Sequence, residues 1–346
     1  HSFPTRRSSD LMTGKAISQT LDRGKTEEKY LITCGASAGL AAAFHAPLAG
    51  VMFSLEEIHK NFSVSVLISV MTASITADYI SSQFMGFQPV FQFDVGMEMP
   101  PQYYWHIVIL GILLGIMGAF YNKMTIWVQS LYFKAKWLNE TTRLFIPFLL
   151  AGILGLVMPQ ILGSGHPLID MAAEGNMMLT SLLILFVAKF LFSLICFGSG
   201  APGGIFFPLL VLGALLGGAY SNFAVQYMGL DASYISNMVL LAMAGYFTAI
   251  VRAPITGIIL IFEMTGQASQ MLSMSLVSIV AYLVASALKS EPIYESLLSG
   301  LLKRRGENIP EGTGEKILQE FVICHNSLLQ NKMIQQIEWQ IGRAHV

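Results

Sequence analysis

Long apolar segments dominate this chain and limit what it can fold into. They lie at about 31–57, 63–80, 104–134, 144–162, 178–197, 205–225, 236–251, 254–264 and 270–288. A helix needs about 20 apolar residues to span a bilayer, and several segments are long enough, while others are short or interrupted by Gly and Pro. Charged residues make up only 12% of the sequence, against about 25% in soluble domains. The sequence therefore predicts an all-α, polytopic membrane protein.

The charge and the cysteines exclude several kinds of site. The formal net charge is −1 and no basic block stands out, so neither a nucleic-acid surface nor a surface for acidic substrates is indicated. The cysteines form no CxxC pair, which excludes the usual zinc and redox spacings; they are Cys34, Cys196 and Cys324. No metal-ligand spacing is shared by His45, His106 and His166. We therefore predict no cofactor and no metal.

A set of residues occurs twice with identical spacing, which indicates an internal repeat. The second set follows the first by 207 positions, and the matching residues are Ala42, Ala46, Pro47, Gly50 and Glu56, then Ala249, Ala253, Pro254, Gly257 and Glu263. In both copies an Ala-Pro pair starts an apolar, half-length helix that ends in a carboxylate. Paired broken helices in corresponding halves predict a transport site near the middle of the membrane. Coincidence among Gly- and Ala-rich helices is the alternative.

The stretch GSGAPGGIFFP, residues 198–208, interrupts an otherwise continuous apolar run. Gly203 and Gly204 allow the backbone to turn, and a helix is predicted to resume at about Ile205. The first N–H groups of a helix have no intrahelical acceptor and lie at the positive end of its dipole, so they can bind an anion without a cationic side chain. Pro208, in the first turn, removes no hydrogen bond that the helix needs. The break is a candidate anion site, although a plain helix–helix loop would explain its Gly and Pro equally well.

Four motifs resemble, in the same order, segments of the CLC family of chloride channels and chloride/proton antiporters. They are GASAGLAAAFHAPLAGVMFSLEE, GSGAPGGIFFP, RAPITGIILIFEMT and EPIYESLL, and the resemblance runs from about Gly14 to Leu302. The first is similar to the family segment that ends in paired glutamates, and the second to the GxFxP signature. The resemblance implies an inverted-repeat, broken-helix architecture and a homodimer in which each subunit has its own pathway. It also implies a multi-pass protein of the cell inner membrane or plasma membrane.

The resemblance also assigns roles to particular residues. The candidate anion-site residues are Gly203, Gly204, Ile205, Phe206 and Tyr294. The backbone N–H groups of Ile205 and Phe206 would hold the central anion, and Tyr294 would add a hydroxyl. Without the resemblance, Tyr294 would be interpreted as an interfacial aromatic residue. Glu57 matches the family's internal proton-transfer glutamate, and a solvated carboxylate at a cytoplasmic helix end is the alternative.

Transmembrane chloride transport is the predicted function, and Glu57 favours proton-coupled exchange over the alternative, a voltage-gated or passive chloride channel. Tyr294 and the GIFFP form favour chloride over fluoride. The predicted partners are chloride and other small anions, protons, the bilayer and a second copy of the chain, but no nucleic acid. The family's external gating glutamate and its serine-containing anion loop belong upstream of GKAISQTL. We therefore expect both to be missing from this sequence.

An intramembrane enzyme is the remote alternative. A rhomboid-like protease needs GxSG, yet neither Ser164 nor Ser199 has a Gly two positions before it, so serine catalysis is not indicated and no enzyme is predicted. Lys189 and Arg252 could attract anions, but a place at an aqueous or interhelical margin is favoured. Glu263 is as consistent with a structural as with a functional carboxylate.

The two ends of the chain differ from the rest. HSFPTRRSSDL at 1–11 and IGRAHV at 341–346 resemble translated flanks of a sequencing adapter, and we interpret both as non-native, with a natural basic arm as the alternative at the start. Residues 12–302 are predicted to form the transmembrane domain, with its N-terminal helices missing, and 303–313 a linker. Residues 314–340 resemble the start of a cytoplasmic TrkA-C-type regulatory domain. A simple amphipathic tail is the alternative there.

Overall fold

A computed structural model describes residues 13–17, 20, 25–60, 62–86, 89–91, 98–135, 139–200 and 203–304. Within these ranges the regular structure is helical, as predicted. The α-helices are α1 (Lys25–Phe44), α2 (Pro47–Phe53), α3 (Val64–Met85), α4 (Tyr104–Lys134), α5 (Glu140–Val157), α6 (His166–Ala173), α7 (Leu179–Gly198), α8 (Phe206–Tyr227), α9 (Ile235–Val251), α10 (Pro254–Thr265), α11 (Met271–Ala287) and α12 (Ile293–Arg304). The predicted segments 1–11, 314–340 and 341–346, and the linker beyond Arg304, lie outside the described residues.

Several helices are long and apolar enough to cross a membrane. In the described part of the chain these stretches are Val64–Met85, Pro101–Lys134, Leu179–Gly198, Phe206–Tyr227, Ala232–Val251 and Ala268–Ala287. Helix α4 is unbroken over 31 residues, as the proline-free segment 104–134 predicts. A Cβ at Gly111 would lie 2.8 Å from the side chain of Val280, and a Cβ at Gly115 would lie 2.7 Å from that of Val284. The backbones of α4 and α11 therefore approach closely, as small residues permit in membrane helices.

One predicted segment ends earlier than its composition suggests. The apolar run 144–162 forms α5 only as far as Val157, and a 3₁₀ turn, Pro159–Ile161, follows. Proline disfavours the helical conformation of the residue before it, and Met158 accordingly has φ −143° and ψ 66°. The proline therefore ends the helix although the residues beyond it are apolar.

Helices α8 and α9 form the centre of the protein. Every residue of α9 from Asn237 to Val251 is buried, which is expected for a helix that is apolar on all sides. A Cβ at Gly213 of α8 would lie 2.8 Å from the carbonyl oxygen of Ala242 in α9. Because the two helices pack this closely, the start of α8 is held against the protein core.

The chain divides into two compact units, His1–Leu298 and Ser299–Val346. The first unit holds α1 to α11 and the start of α12, and with them every predicted site residue. Of the second unit, the structure describes only the helical residues as far as Arg304. The predicted domain boundaries beyond that point stay predictions.

Candidate functional site

The start of α8 is where the sequence predicts an anion. Ile205 precedes the helix with φ −82° and ψ −22°, and Phe206 is its first residue. Their side chains are buried, with 3% and 4% of their surface exposed. Pro208 lies in the first turn, where a missing N–H does not interrupt the helix. The positive end of the α8 dipole therefore lies within the protein.

The glycines before α8 differ in what they contribute. The left-handed conformation expected of a turn glycine occurs at Gly200, with φ 80°, and not at Gly204. Gly203 and Gly204 are exposed, and a Cβ at Gly204 would meet no heavy atom of the described chain within 4 Å. Gly200 therefore supplies the left-handed conformation, and the space around a Cβ at Gly204 is free of described neighbours.

Aromatic rings surround the first turn of α8. The ring centroids of Phe44, Phe53 and Phe247 lie 5.7, 5.5 and 5.0 Å from that of Phe206. Such rings keep water away, and the electrostatic attraction between an anion and N–H groups is stronger where the surroundings are less polar. The ring of Tyr294, which is 8% exposed, lies 6.0 Å from that of Phe53. Phe53 therefore joins the two predicted parts of the anion site, a role that sequence reasoning missed.

Glu57 lies on a π-helical turn, Ser54–His59, which directly follows Phe53. Such turns are rare and are frequently found at functional sites. Glu57 is half-buried. Phe53 is thus the point where the segments that carry Glu57, Phe206 and Tyr294 meet.

The neighbouring glutamate, Glu56, binds the start of α10. Its Oε1 accepts a hydrogen bond from the N–H of Ile255 at 3.3 Å, and its Oε2 accepts from the N–H and the hydroxyl of Thr256, both at 2.8 Å. A carboxylate at a helix N-terminus satisfies N–H groups that lack acceptors and is stabilised by the helix dipole. Glu56 therefore holds the start of α10 in place.

Glu263, at the end of α10, makes the corresponding contact in the opposite direction. Its two carboxylate oxygens accept from the N–H groups of Leu48, at 3.0 Å, and Ala49, at 2.7 Å, in the first turn of α2. These donors lie 207 positions before those that bind Glu56, so equivalent residues of the two repeats cap each other. The reciprocal caps support the internal repeat over coincidence, and they give Glu263 a structural role.

An ion pair connects the π turn to the helix that carries Tyr294. Lys60, which follows the turn with φ 52°, pairs with Glu295 in the first turn of α12. Both side chains are about half exposed. Lys60 lies three positions after Glu57, and Glu295 directly follows Tyr294. The pair therefore links the segment that carries Glu57 to the helix that carries Tyr294.

His59 fixes the same turn to α1. The hydroxyl of Thr33 donates to the carbonyl of Lys29 at 2.9 Å, so the imidazole Nε2 of His59, 2.9 Å from that hydroxyl oxygen, is the donor. The ring also stacks on Tyr30, with centroids 5.9 Å apart. Burial, together with the positive charge of Lys29, lowers the pKa of His59. A neutral imidazole is therefore favoured at this contact.

The basic residues singled out in the sequence bind protein carbonyls between helices. Lys189, only 2% exposed, donates to the carbonyl of Ile161 at 2.7 Å. Arg252 donates to the carbonyl of Tyr282 at 2.7 Å. Within the described ranges, no group of three or more His, Cys, Asp or Glu side chains is arranged to hold a metal ion.

Comparison with known proteins places this geometry in a family. A family model described as "Voltage gated chloride channel" matches residues 11–286. The chain is 34% identical over 297 residues to the H(+)/Cl(-) exchange transporter ClcA of Salmonella agona (strain SL483), a match that covers 82% of this chain and 62% of that protein. It is also 34% identical over 284 residues to the protein of that name from Yersinia pestis bv. Antiqua (strain Angola), with coverages of 80% and 59%. The chain thus spans about three-fifths of the length of these relatives.

A solved structure shows the same architecture. The crystal structure of a slow cyanobacterial Cl-/H+ antiporter matches with a TM-score of 0.80 and 29% identity, over 87% of this chain and 71% of that one. The residues that the family model matches include both half-length helices, α2 and α10, and the start of α8. The chain is therefore a multi-pass membrane protein with broken helices, and it belongs to the CLC family of voltage gated chloride channels and related antiporters.

Proposed function

We propose that the full-length protein exchanges chloride for protons across the membrane. The observation that carries this proposal is the meeting of three segments at Phe53. The rings of Phe206 and Tyr294 both pack on it, and the π turn with Glu57 follows it in the chain. Exchange requires an anion site and a proton site that are separate but close, and this arrangement supplies a candidate for each. The names of the two relatives, H(+)/Cl(-) exchange transporters, support the same function.

The proposed anion ligands are backbone dipoles rather than charged side chains. The N–H groups of Ile205 and Phe206 would bind chloride, the Tyr294 hydroxyl would donate from the other side, and Gly203 and Gly204 would leave room for the ion to approach. A transported anion must also leave its site, and N–H dipoles bind it more weakly than a buried Lys or Arg would. The two basic residues, buried Lys189 and partly buried Arg252, support this assignment, because each already donates to carbonyl oxygens.

The proposed proton carrier is Glu57. Both oxygens of Glu56 accept hydrogen bonds from α10, so that carboxylate is engaged in holding a helix. Glu57 is half-buried and lies four residues after Phe53, whose ring packs against the rings of Phe206 and Tyr294. A carboxylate in such a position can take up a proton from the cytoplasm and release it toward the pathway.

A homodimer is proposed on the surface of α3. Ile68, Ile75 and Tyr79 lie on one face of that helix, with 60%, 47% and 62% of their surface exposed. An apolar face of this kind needs a cover of lipid or of protein. Membership in the CLC family favours a second copy of the chain, with one pathway in each subunit.

Chloride-driven proton movement into vesicles that contain the full-length protein tests the proposal. A chloride gradient should drive protons against their own gradient, and Glu57→Gln should abolish this movement while chloride efflux continues, because a neutral amide cannot carry a proton. Glu174→Gln, at an exposed carboxylate that follows α6, is the matched control and should keep both fluxes. Chloride flux without proton movement in the unaltered protein would indicate a channel. Equal loss of both fluxes in Glu57→Gln would make that residue structural.

A further inference from the structure

Asn122 connects three parts of the protein through one side chain. It lies on α4 and is only 2% exposed. Its amide nitrogen donates to the carbonyl of Ile250 at 3.1 Å, to the hydroxyl oxygen of Ser290 at 3.3 Å and to the carbonyl of Glu291 at 3.1 Å. The two carbonyl oxygens can only accept, so the amide must present its nitrogen to them. Asn122 thus binds the last turn of α9 and the segment that leads into α12.

That segment, residues 288–292, has no helix of its own to fix its position. It lies between the end of α11 and the start of α12, and Lys289 adopts a left-handed conformation with φ 52°. A non-glycine residue in this conformation persists only where its surroundings hold it. Arg252 supplies a second hold by donating to the carbonyl of Ser290 at 2.9 Å.

The segment ends two residues before Tyr294. Glu291 is bound by Asn122, and α12 begins at Ile293. A displacement of the Glu291 carbonyl would therefore move the first turn of α12 and the ring of Tyr294 with it.

We propose that Asn122 is a positioning residue for Tyr294. It ties the segment 288–292 to α9 and so sets the distance between the Tyr294 ring and the start of α8. The proposal rests on the proposed function, because it matters for transport only if Tyr294 contributes to the anion site. Asn122 itself need not touch the ion.

A purely structural role would predict a different result from a positioning role. If Asn122 only satisfies buried carbonyls, its loss should lower stability and leave anion affinity and proton coupling unchanged in the protein that folds. If it positions Tyr294, its effect on the anion should depend on the Tyr294 side chain. Residues that act through one another give strongly non-additive effects in a double-mutant cycle.

The cycle uses full-length protein in detergent and in vesicles, with chloride binding measured by calorimetry and coupling by the chloride-to-proton ratio. Asn122→Leu keeps a similar volume and removes the donors, and it should weaken chloride binding by about two- to tenfold. In the Tyr294→Ala background the same substitution should cause no further change. Asn222→Leu is the matched control, since Asn222 donates only to the Gly218 carbonyl of its own helix, at 3.1 Å, among the described residues.

Additive effects of Asn122→Leu and Tyr294→Ala, or unchanged affinity and coupling in Asn122→Leu, would overturn the inference. If Asn122→Leu does not fold, Ser290→Ala decides, because it removes one acceptor and keeps both carbonyls. Its readout is the fluorine resonance of a labelled tyrosine at position 294, which should shift, and an unchanged resonance would overturn the inference. Absence of chloride-driven proton movement in the unaltered protein would refute the proposed exchange alone, since chloride binding and the resonance report on Tyr294 without it.

Discussion

The reciprocal caps between α2 and α10 predict that two glutamates far apart in sequence are equally important for stability. Glu56→Gln and Glu263→Gln each keep the side-chain length and one carbonyl oxygen. Each also turns one acceptor into an NH₂ group that faces a backbone N–H at the start of the other half-length helix. Glu56 loses contact with Thr256 or Ile255, and Glu263 with Leu48 or Ala49.

The expected loss follows from the number and kind of these hydrogen bonds. A hydrogen bond to a charged group contributes about 1.5–3 kcal/mol, and loss of a helix N-cap costs about 0.5–2 kcal/mol. If the amide oxygen of the glutamine takes the shorter contacts, one charge-assisted bond is lost in each variant. Neutral bonds then remain with Thr256 in Glu56→Gln and with Ala49 in Glu263→Gln. We therefore expect each substitution to destabilise the protein by about 2 kcal/mol.

Thermal unfolding of the full-length protein in detergent measures the effect. A loss of this size lowers the melting temperature by roughly 2–4 °C in a protein of this size class. Glu174→Gln, at an exposed carboxylate, is the control and should leave the melting temperature unchanged. The reasoning is refuted if only one of the two variants is destabilised, or if both behave like the control.

Two further predictions concern the contacts of the π turn. Lys60→Glu and Glu295→Lys should each change chloride turnover by up to about fivefold, since an exposed ion pair contributes at most about 1 kcal/mol. The double variant, in which the two charges are exchanged, should recover the original rate. Independent effects of the two substitutions in the double variant would show that the pair does not act as a unit. Because the pKa of His59 is lowered from its ordinary value of 6.5, its contribution to stability is present above that pH and is lost as the pH falls toward the lowered pKa. His59→Gln should flatten the melting temperature between pH 5 and 7 relative to the unaltered protein, and an unchanged pH dependence would contradict the assignment.

The sequence predicts the helices and the breaks between them because both follow from local rules. Apolar length decides which segments can span a membrane, and α4 matches the predicted range 104–134. Pro47 and Pro254 begin half-length helices where the repeat predicts them. The reciprocal caps follow the same offset of 207 residues. It relates Glu56 to Glu263, and it relates the N–H donors that bind Glu263 to those that bind Glu56.

The contacts that bring the candidate site together could not be read from the sequence. Phe53 is one of 22 phenylalanines, and its contacts with Phe206 and Tyr294 join segments that are far apart along the chain. The bonds of Asn122 to residues about 130 and 170 positions later are equally remote. Such contacts depend on how helices cross, and helix crossing is set by packing across the whole bundle rather than by local pattern.

The pair of glutamates shows how local pattern and packing combine at one place. Glu56 is held by the start of α10 through hydrogen bonds as short as 2.8 Å, and Glu57, the proposed proton carrier, is joined to it by a single peptide unit. A movement of the α10 N-terminus would therefore move the backbone of Glu57 as well. The same turn begins beside Phe53, which touches both Phe206 and Tyr294. A rearrangement at the anion site and one at the proton carrier would thus both involve Phe53 and the π turn that follows it. A transporter that exchanges one ion for the other requires such a link between its two sites.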